Sequence, residues 1–468
     1  MSNTPIDLNQ CFDVVVIGAG VVGCAMARRF TLEGARVLVL EKGVDILSGA
    51  SKGNSAILHT GFDADPDSLE HSCVQSGYEE YLQIRNELNL PILKTGALVV
   101  AWNEDEVEKL DSIVEKALAN EVKDVRILSN IELGAKEPSL ANTAKAAVEV
   151  PGEYLIDPWT TPFVYLLQAI ENGASILRDA EVLSGQFDGE QWQLDTSRGP
   201  VKSRLLINCA GLYGDRLDEK LLGQSNFEIR PRKGQFLVFD KSATSLVNSI
   251  ILPVPTEITK GVVVCKTIFG NLLVGPTAEE QQSRDEASVD HENLQMLFNK
   301  GLEIIPELAN HTVTATYAGI RPASEYKDYQ IKSFDQQSYI SVGGIRSTGL
   351  SAALGIARHV YGLYQKMGHK HQELDDVIHP RVNPLAEHCQ RDWQKSGNRG
   401  VVCHCELVTR REIEQALTGP LAAKSLSGLK RRTRVTMGRC QGFYCSAELS
   451  EITEGCFQES IGVDDVDS

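Results

Sequence analysis

Residues Asp13 to Ile17 (DVVVI) form an apolar run that reads as a buried strand, followed by Gly18-Ala19-Gly20-Val21-Val22-Gly23 and an apolar helical stretch from Cys24 to Leu32. After Gly34 a second run, Ala35 to Leu40, ends at Glu41, which completes the pattern of a βαβ unit. Four later stretches alternate in β fashion: ALVVAW (97–102), GQFLVFD (234–240), VVVCKTIFGNLLVG (262–275) and TVTATYAGIRP (312–322). They predict an antiparallel sheet between the parts of a nucleotide-binding fold. Ile340 to Ala353 (ISVGGIRSTGLSAA) reads as strand, Gly-rich turn and helix start. Beyond Pro380 and Pro384 the pattern becomes polar through RDWQKSGNRG (391–400), a predicted linker. A short helix, REIEQAL (411–417), then opens with Thr409 as N-cap and Glu412 three positions on.

With 468 residues the chain has room for about two or three domains. A hydrophobic fraction of 42% with 39 Gly and 17 Pro excludes a low-complexity chain. The net charge of -17 argues against general nucleic-acid binding, which needs a basic surface. The first dozen residues hold an Asp and no Lys or Arg, unlike a signal peptide, and the run Val14 to Ala27 is too short and Gly-rich to span a bilayer. The expected location is therefore cytoplasmic, and there the 11 cysteines are expected as thiols or metal ligands rather than disulfides.

Each glycine of the first turn has a role: Gly18 permits the tight turn, Gly20 admits a pyrophosphate to the backbone, and Gly23 lets helix pack closely on strand. The helix N-terminus offers N–H groups to phosphate. Glu41 can accept hydrogen bonds from a ribose diol and would repel a 2′-phosphate, which disfavours NADP. The motif alone does not separate FAD from NAD.

The long small-residue loop Ser48 to Gly61 follows the second strand directly, and here the chain resembles the FAD-dependent oxidoreductases that include D-amino-acid oxidase, glycerol-3-phosphate dehydrogenase and L-2-hydroxyglutarate dehydrogenase. Ala180-Glu181-Val182, Leu205 to Gly211 and the turn after Ile340 extend the resemblance over nearly residues 1–380. It implies an α/β fold: a Rossmann-type FAD-binding domain with an interleaved antiparallel-sheet substrate domain. It assigns to FAD Gly18, Gly20, Gly23, Glu41, Lys42, Ser51, Asn54, Ser55, Val182, Ala210, Gly211, Gly344, Arg346, Ser347, Thr348, Gly349, Leu350 and Ser351.

Arg321 resembles the family arginine that clamps a substrate anion, a task suited to a guanidinium fork. Arg346, in the flavin-capping turn, is a second catalytic or flavin contact. Alcohol oxidation needs a base for the hydroxyl proton, and His59 is suited either to that or to a flavin contact.

Cys403-His404-Cys405 and Cys440-Gln441-Gly442-Phe443-Tyr444-Cys445 form two close pairs separated by 34 residues. The arrangement resembles the bacterioferritin-associated-ferredoxin-like [2Fe-2S] module, a small helical unit in which Cys403, Cys405, Cys440 and Cys445 would hold one cluster. Zinc, which prefers Cys-x-x-Cys spacing, and a metal-free remnant are the alternatives. The domain layout is then 1–385 for the oxidoreductase, 386–398 for a linker, 399–456 for the module and 457–468 for an acidic tail.

Residues 399–445 hold nine basic and three acidic side chains, a local +6, and residues 446–468 hold seven acidic and no basic ones. Arg431 and Arg432 are thus read either as offsetting the cluster's charge or as docking an acidic partner or the acidic flavin domain. The combined pattern looks most like the anaerobic glycerol-3-phosphate dehydrogenase large subunits. The expected partners are a small anionic substrate and an external electron acceptor or partner subunit, with no nucleic acid and no transmembrane segment; peripheral membrane association would run through a partner. A 2-hydroxy-acid, amino-acid or opine dehydrogenase, and a non-catalytic electron-transfer subunit, are the competing readings.

Overall fold

A computed structural model describes residues 6–8, 10–255 and 261–461. The strand Cys11–Ile17 is buried along its second half and pairs in parallel with Val37–Leu40 on one side and Gly199–Asn208 on the other. Between the first two runs the helix Val21–Leu32, three residues longer at its start than expected, packs back on the sheet. Ser175–Leu177 and Tyr339–Gly343 extend the parallel part on either side. An antiparallel hairpin, Val182–Phe187 with Trp192–Thr196, completes one end of this eight-stranded sheet, and Gln330–Phe334 pairs with Tyr339–Gly343.

The four alternating stretches do join one sheet, nine-stranded among the described residues. The stretch 262–275 is two strands, Val263–Lys266 and Leu272–Gly275, because Thr267 to Asn271 turn back on themselves with a Gly270 N–H to Thr267 carbonyl bond. The sheet is antiparallel except where Ile250–Pro253 lies parallel to Ala97–Ala101.

Two further elements position the site. A small sheet pairs Ile57–Leu58 and Ile92–Leu93 against Tyr154–Ile156. The helix Gly349–Lys366 is buried between Val21–Leu32 and Leu69–Ile84, and joins the largest apolar core. No helix of the described residues is long and apolar enough to cross a membrane.

Beyond it, residues 386–398 pack rather than dangle. Arg391 and Asp392 are buried, and Asp392 accepts from Thr409 Oγ1 at 2.6 Å and from Arg411 at 2.7 Å. The module contains a hairpin, Val401–Cys403 with Val408–Thr409, and helices Arg410–Ala416, Leu426–Thr433 and Ser446–Thr453 around its own apolar core. Thr409 and Glu412 form the expected capping box. Of the acidic stretch 457–468, residues 462–468 lie outside the described residues.

The module is fastened to the nucleotide-binding unit through a buried carboxylate. Asp45, 1% exposed, accepts from the Lys424 N–H and the Ser425 hydroxyl, and pairs with Arg432 at 3.1 Å and Arg178 at 3.5 Å. Arg431 reaches the Ile46 carbonyl at 3.2 Å and Ser48 Oγ at 3.4 Å. Of the sequence alternatives for this basic pair, the structure realises docking onto the flavoprotein body.

Candidate functional site

A cleft of about 560 Å³ opens at the carboxyl ends of the parallel strands, the place where open α/β sheets bind ligands. Gly18, Gly20, Glu41, Lys42, Ser51, Val182, Ala210 and Gly211 all line it, as expected. Gly23 is there for packing: a Cβ on it would stand 1.9 Å from the Gly18 carbonyl oxygen. Glu41 accepts from the Ala19 N–H at 2.7 Å and the Gly43 N–H at 2.8 Å. Burial pushes its carboxyl above the usual range, and these two N–H groups work against that rise. Each oxygen keeps a second lone pair for a ribose diol. Ser51 Oγ accepts from the Val21 N–H at 3.0 Å, tying the loop to the helix N-terminus. Lys42 lies over the Tyr213 ring, 3.7 Å from its centroid.

Asn54 caps its own loop, accepting from the Ala56 N–H at 2.6 Å, and Ser55 beside it is half-buried. The loop then meets the substrate sheet on the strand Val313–Ser324. There a Cβ on Gly53 would stand 2.7 Å from Gly319 Cα, and Tyr317 donates to the Asn54 carbonyl at 2.9 Å. Tyr317, Gly319 and Arg321 alternate onto one face of that strand. Arg321 is half-buried, and among the described residues its hydrogen-bond acceptor is the Thr277 carbonyl, at 3.4 Å. Burial and the neighbouring Arg232 push its guanidinium down to about 10, still cationic at neutral pH. A half-buried cation whose partner among the described residues is a long carbonyl contact is suited to receive an anion.

His59 sits where strand pairing places it opposite a carboxylate. Leu58 pairs with Tyr154 in antiparallel fashion, so the next residues outward, His59 and Glu153, face each other. Glu153 Oε2 lies 2.7 Å from His59 Nδ1, and Oε1 accepts from the Thr60 N–H and hydroxyl at 2.6 and 2.8 Å. The His59 N–H donates to Ser351 Oγ at 2.8 Å, which brings the capping helix into contact with the loop.

The turn that carries Gly344, Arg346, Ser347, Thr348, Gly349 and Leu350 is divided. Gly344 takes φ +68°, Gly349 and Leu350 are buried at the helix start, and Ser347 is exposed. Arg346 points its guanidinium at Glu70, 3.2 Å away, and at the Lys327 carbonyl, so its charge is met inside the fold. Thr348 donates to the same Glu70 at 2.6 Å.

In the module, Cys403 and Cys445 belong to the apolar core, while Cys405 and Cys440 are half-buried. The thiols are mutual neighbours, Cys405 beside Cys440 and Cys403 beside Cys445. The Tyr444 N–H holds the Cys440 thiol below its ordinary range, and burial pushes Cys445 up to about 12. No three His, Cys, Asp or Glu side chains among the described residues are grouped as for one metal ion. Four thiols in two pairs, with backbone N–H groups turned to sulfur, instead fit a two-iron cluster. Between Cys440 and Cys445, Phe443 and Tyr444 are 81% and 78% exposed and pack edge to face on each other.

Sequence reading missed Glu153, Asp45 and the Arg434–Glu406 pair described below. The one sequence signal for Glu153 is a lone carboxylate just before the apolar strand Tyr154–Ile156.

A model of the FAD dependent oxidoreductase family matches residues 13–363, and one of the BFD-like [2Fe-2S] binding domain matches residues 401–454. A glycerol 3-phosphate dehydrogenase of Caloramator mitchellensis is 31% identical over 94% of this chain and 93% of its own length. A glycerol 3-phosphate oxidase of Mycoplasma pneumoniae is 30% identical over 75% of this chain and 94% of its own length. The dithionite-reduced L-alpha-glycerophosphate oxidase from Mycoplasma pneumoniae, solved with FAD bound, superposes with a TM-score of 0.73 at 28% identity, over 80% of this chain and all of that one. The glycine-lined cleft and the paired thiols therefore have the cofactors their chemistry suits: the chain belongs to the FAD-dependent oxidoreductase family and carries a BFD-like [2Fe-2S] binding domain behind its flavoprotein body.

Proposed function

We propose that the chain is a cytoplasmic dehydrogenase that oxidises a small anionic alcohol, sn-glycerol 3-phosphate first among them, to the ketone dihydroxyacetone phosphate and delivers the electrons to an external acceptor. The observation that carries this reading is a carboxylate-held imidazole, His59–Glu153, together with a half-buried guanidinium, Arg321, both tied to the same loop. FAD, held by the residues of the cleft, supplies two-electron acceptance of hydride, and [2Fe-2S], held by Cys403, Cys405, Cys440 and Cys445, supplies one-electron relay.

The protein's own groups do the rest. Glu153 accepts the Nδ1 proton of His59, fixes the ring and leaves proton acceptance from the substrate hydroxyl to Nε2. As that proton arrives, the buried carboxylate stabilises the imidazolium. Arg321 holds the substrate's phosphate or carboxylate through its two-pronged face. Phosphate is preferred over carboxylate here because a relative that matches 94% of the chain, body and module together, is a glycerol 3-phosphate dehydrogenase. The exposed Phe443–Tyr444 pair between two ligands suits contact with an acceptor protein. Eleven free cysteines suit a reducing compartment. The division into a body, residues 1–385, and a module, residues 399–456, belongs to the same reading.

Anaerobic addition of glycerol 3-phosphate, L-2-hydroxyglutarate and a set of amino acids to the loaded protein tests it. Glycerol 3-phosphate should bleach the flavin absorbance at the lowest concentration. Bleaching by none of them would leave a non-catalytic electron-transfer subunit.

A further inference from the structure

A line of packed groups that the chemistry above does not use joins the loop of the nucleotide cleft to the loop of the cluster. Trp159 Nε1 donates to the carbonyl of Lys52, which lines the cleft, at 3.2 Å. The Trp159 ring stacks on Phe269 with centroids 5.6 Å apart and an 11° interplanar angle. The Arg434 guanidinium lies over Phe269, 4.1 Å from the ring centroid, and its Nε donates to Glu406 Oε2 at 2.9 Å. Glu406 is the chain neighbour of Cys405. Arg434 also reaches Asn271 Oδ1 at 3.3 Å, so one guanidinium bonds the body's 267–271 turn and the cluster loop at once.

Arg434 is placed at a cost. It takes φ +67° at the end of the helix Leu426–Thr433, a left-handed conformation that is unfavourable for a residue with a Cβ. Its charge is buried with that of Glu406, both under 5% exposed. A surface arginine would need neither, and strain of this kind persists only where the surroundings over-determine the residue. Lys241, 3.4 Å from Glu406, adds a second tie from the body to the same carboxylate.

We propose that Arg434, with the Phe269–Trp159 stack, is the positioning element for electron transfer from FAD to the [2Fe-2S] centre. It fixes the separation of the cleft loop and the cluster loop, on which tunnelling depends steeply. Each event oxidises the reduced FAD by one electron and reduces the cluster by one; a second event requires the external acceptor to re-oxidise the cluster. The inference rests on the relay reading but not on the substrate.

The test is therefore free of substrate. In the anaerobic holoenzyme the bound flavin is photoreduced in place by a light pulse with EDTA as donor, and flavin and cluster absorbance are followed together. Phe269→Leu and Arg434→Lys should each slow the transfer about tenfold, within the ~10²-fold that a one-ångström misplacement of reacting groups can cost. Cluster content and its electron paramagnetic resonance signature should stay unchanged. Amide hydrogen exchange across residues 401–409, which needs no electron transfer, should rise in Arg434→Lys. Arg439→Gln, which loses an exposed pair with Asp240 beside the same seam, should transfer at the parent rate. Parent rates in both seam variants, or a rate lost only in proportion to lost cluster, would overturn the proposal. Should Arg434→Lys fail to hold the cluster, Phe269→Leu, which lies in the body, decides alone.

Discussion

Around the nucleotide cleft the chain makes room by leaving atoms out, whereas along the seam with the module it fills space with charge. The cleft is walled by Gly18, Gly20 and Gly211 and presents backbone at its floor. The seam holds Asp45, Arg432, Arg434 and Glu406, each with under a tenth of its side chain exposed. The difference follows from what each must meet. A pyrophosphate has to approach the backbone itself, so any Cβ is an obstruction. Two protein surfaces that must keep one relative position gain from contacts that fail completely when displaced, and buried ion pairs behave in that way.

The contrast is broken most severely by Gly23→Ala. Its new Cβ would meet the Gly18 carbonyl at 1.9 Å, so helix and strand must part and the purified protein should lose its flavin absorbance entirely. Full flavin content in that variant would show that the unit tolerates a Cβ at the close helix–strand contact. Glu153→Gln should retain the flavin yet lower kcat by about 10²–10⁴-fold, the usual span of general-base catalysis. The acid limb of its kcat/KM profile should also move to lower pH, because an amide stabilises the imidazolium less than a carboxylate does. A profile of unchanged shape and height would remove His59 from the role of base.

Asp45→Ala should cost about 3–5 kcal/mol by leaving Arg432 and Arg178 facing no carboxylate. Thermal unfolding and protease sensitivity of the module would report it, with the flavin still bound. Replacing Phe443 and Tyr444 together by Ala should weaken use of the acceptor about tenfold while flavin bleaching by substrate keeps its rate. A fall in both rates would instead mean that the aromatic pair shapes the cluster. At the small end, Arg399→Ala removes an exposed partner of Glu414 and should change stability by less than about 1 kcal/mol in chemical denaturation.

What was legible in the sequence had short range. The βαβ unit declares itself within Asp13 to Glu41, because a buried strand, three glycines and a terminal acid each have a steric or electrostatic reason at their spacing. The four cysteines do the same within two short motifs. Glu153 was not legible as the partner of His59, since 94 positions separate them and they meet through strands of two and three residues, too short to show a period. Asp45 likewise meets Lys424 and Ser425 across nearly the whole chain. Arg346, in a Gly-rich turn, and Arg321, in an alternating stretch, both read in sequence as contacts for an anion or the flavin, and only tertiary packing separates the one bound to Glu70 from the one held by a carbonyl. The basic run of the module invited a reading as solvent-facing charge, yet Arg431 and Arg434 are buried and Arg432 turns inward to Asp45.

Asp45 also ties the presence of the module to a single position of the body. It stands five residues beyond the second strand of the nucleotide unit, and its hydrogen bonds and ion pairs run chiefly to residues of the module. In a flavoprotein body without the module, an aspartate at this position would have no module to hold. Gain or loss of the cluster domain by gene fusion should therefore leave its mark at this one position, with an acid in fused chains and an unrelated residue in the others.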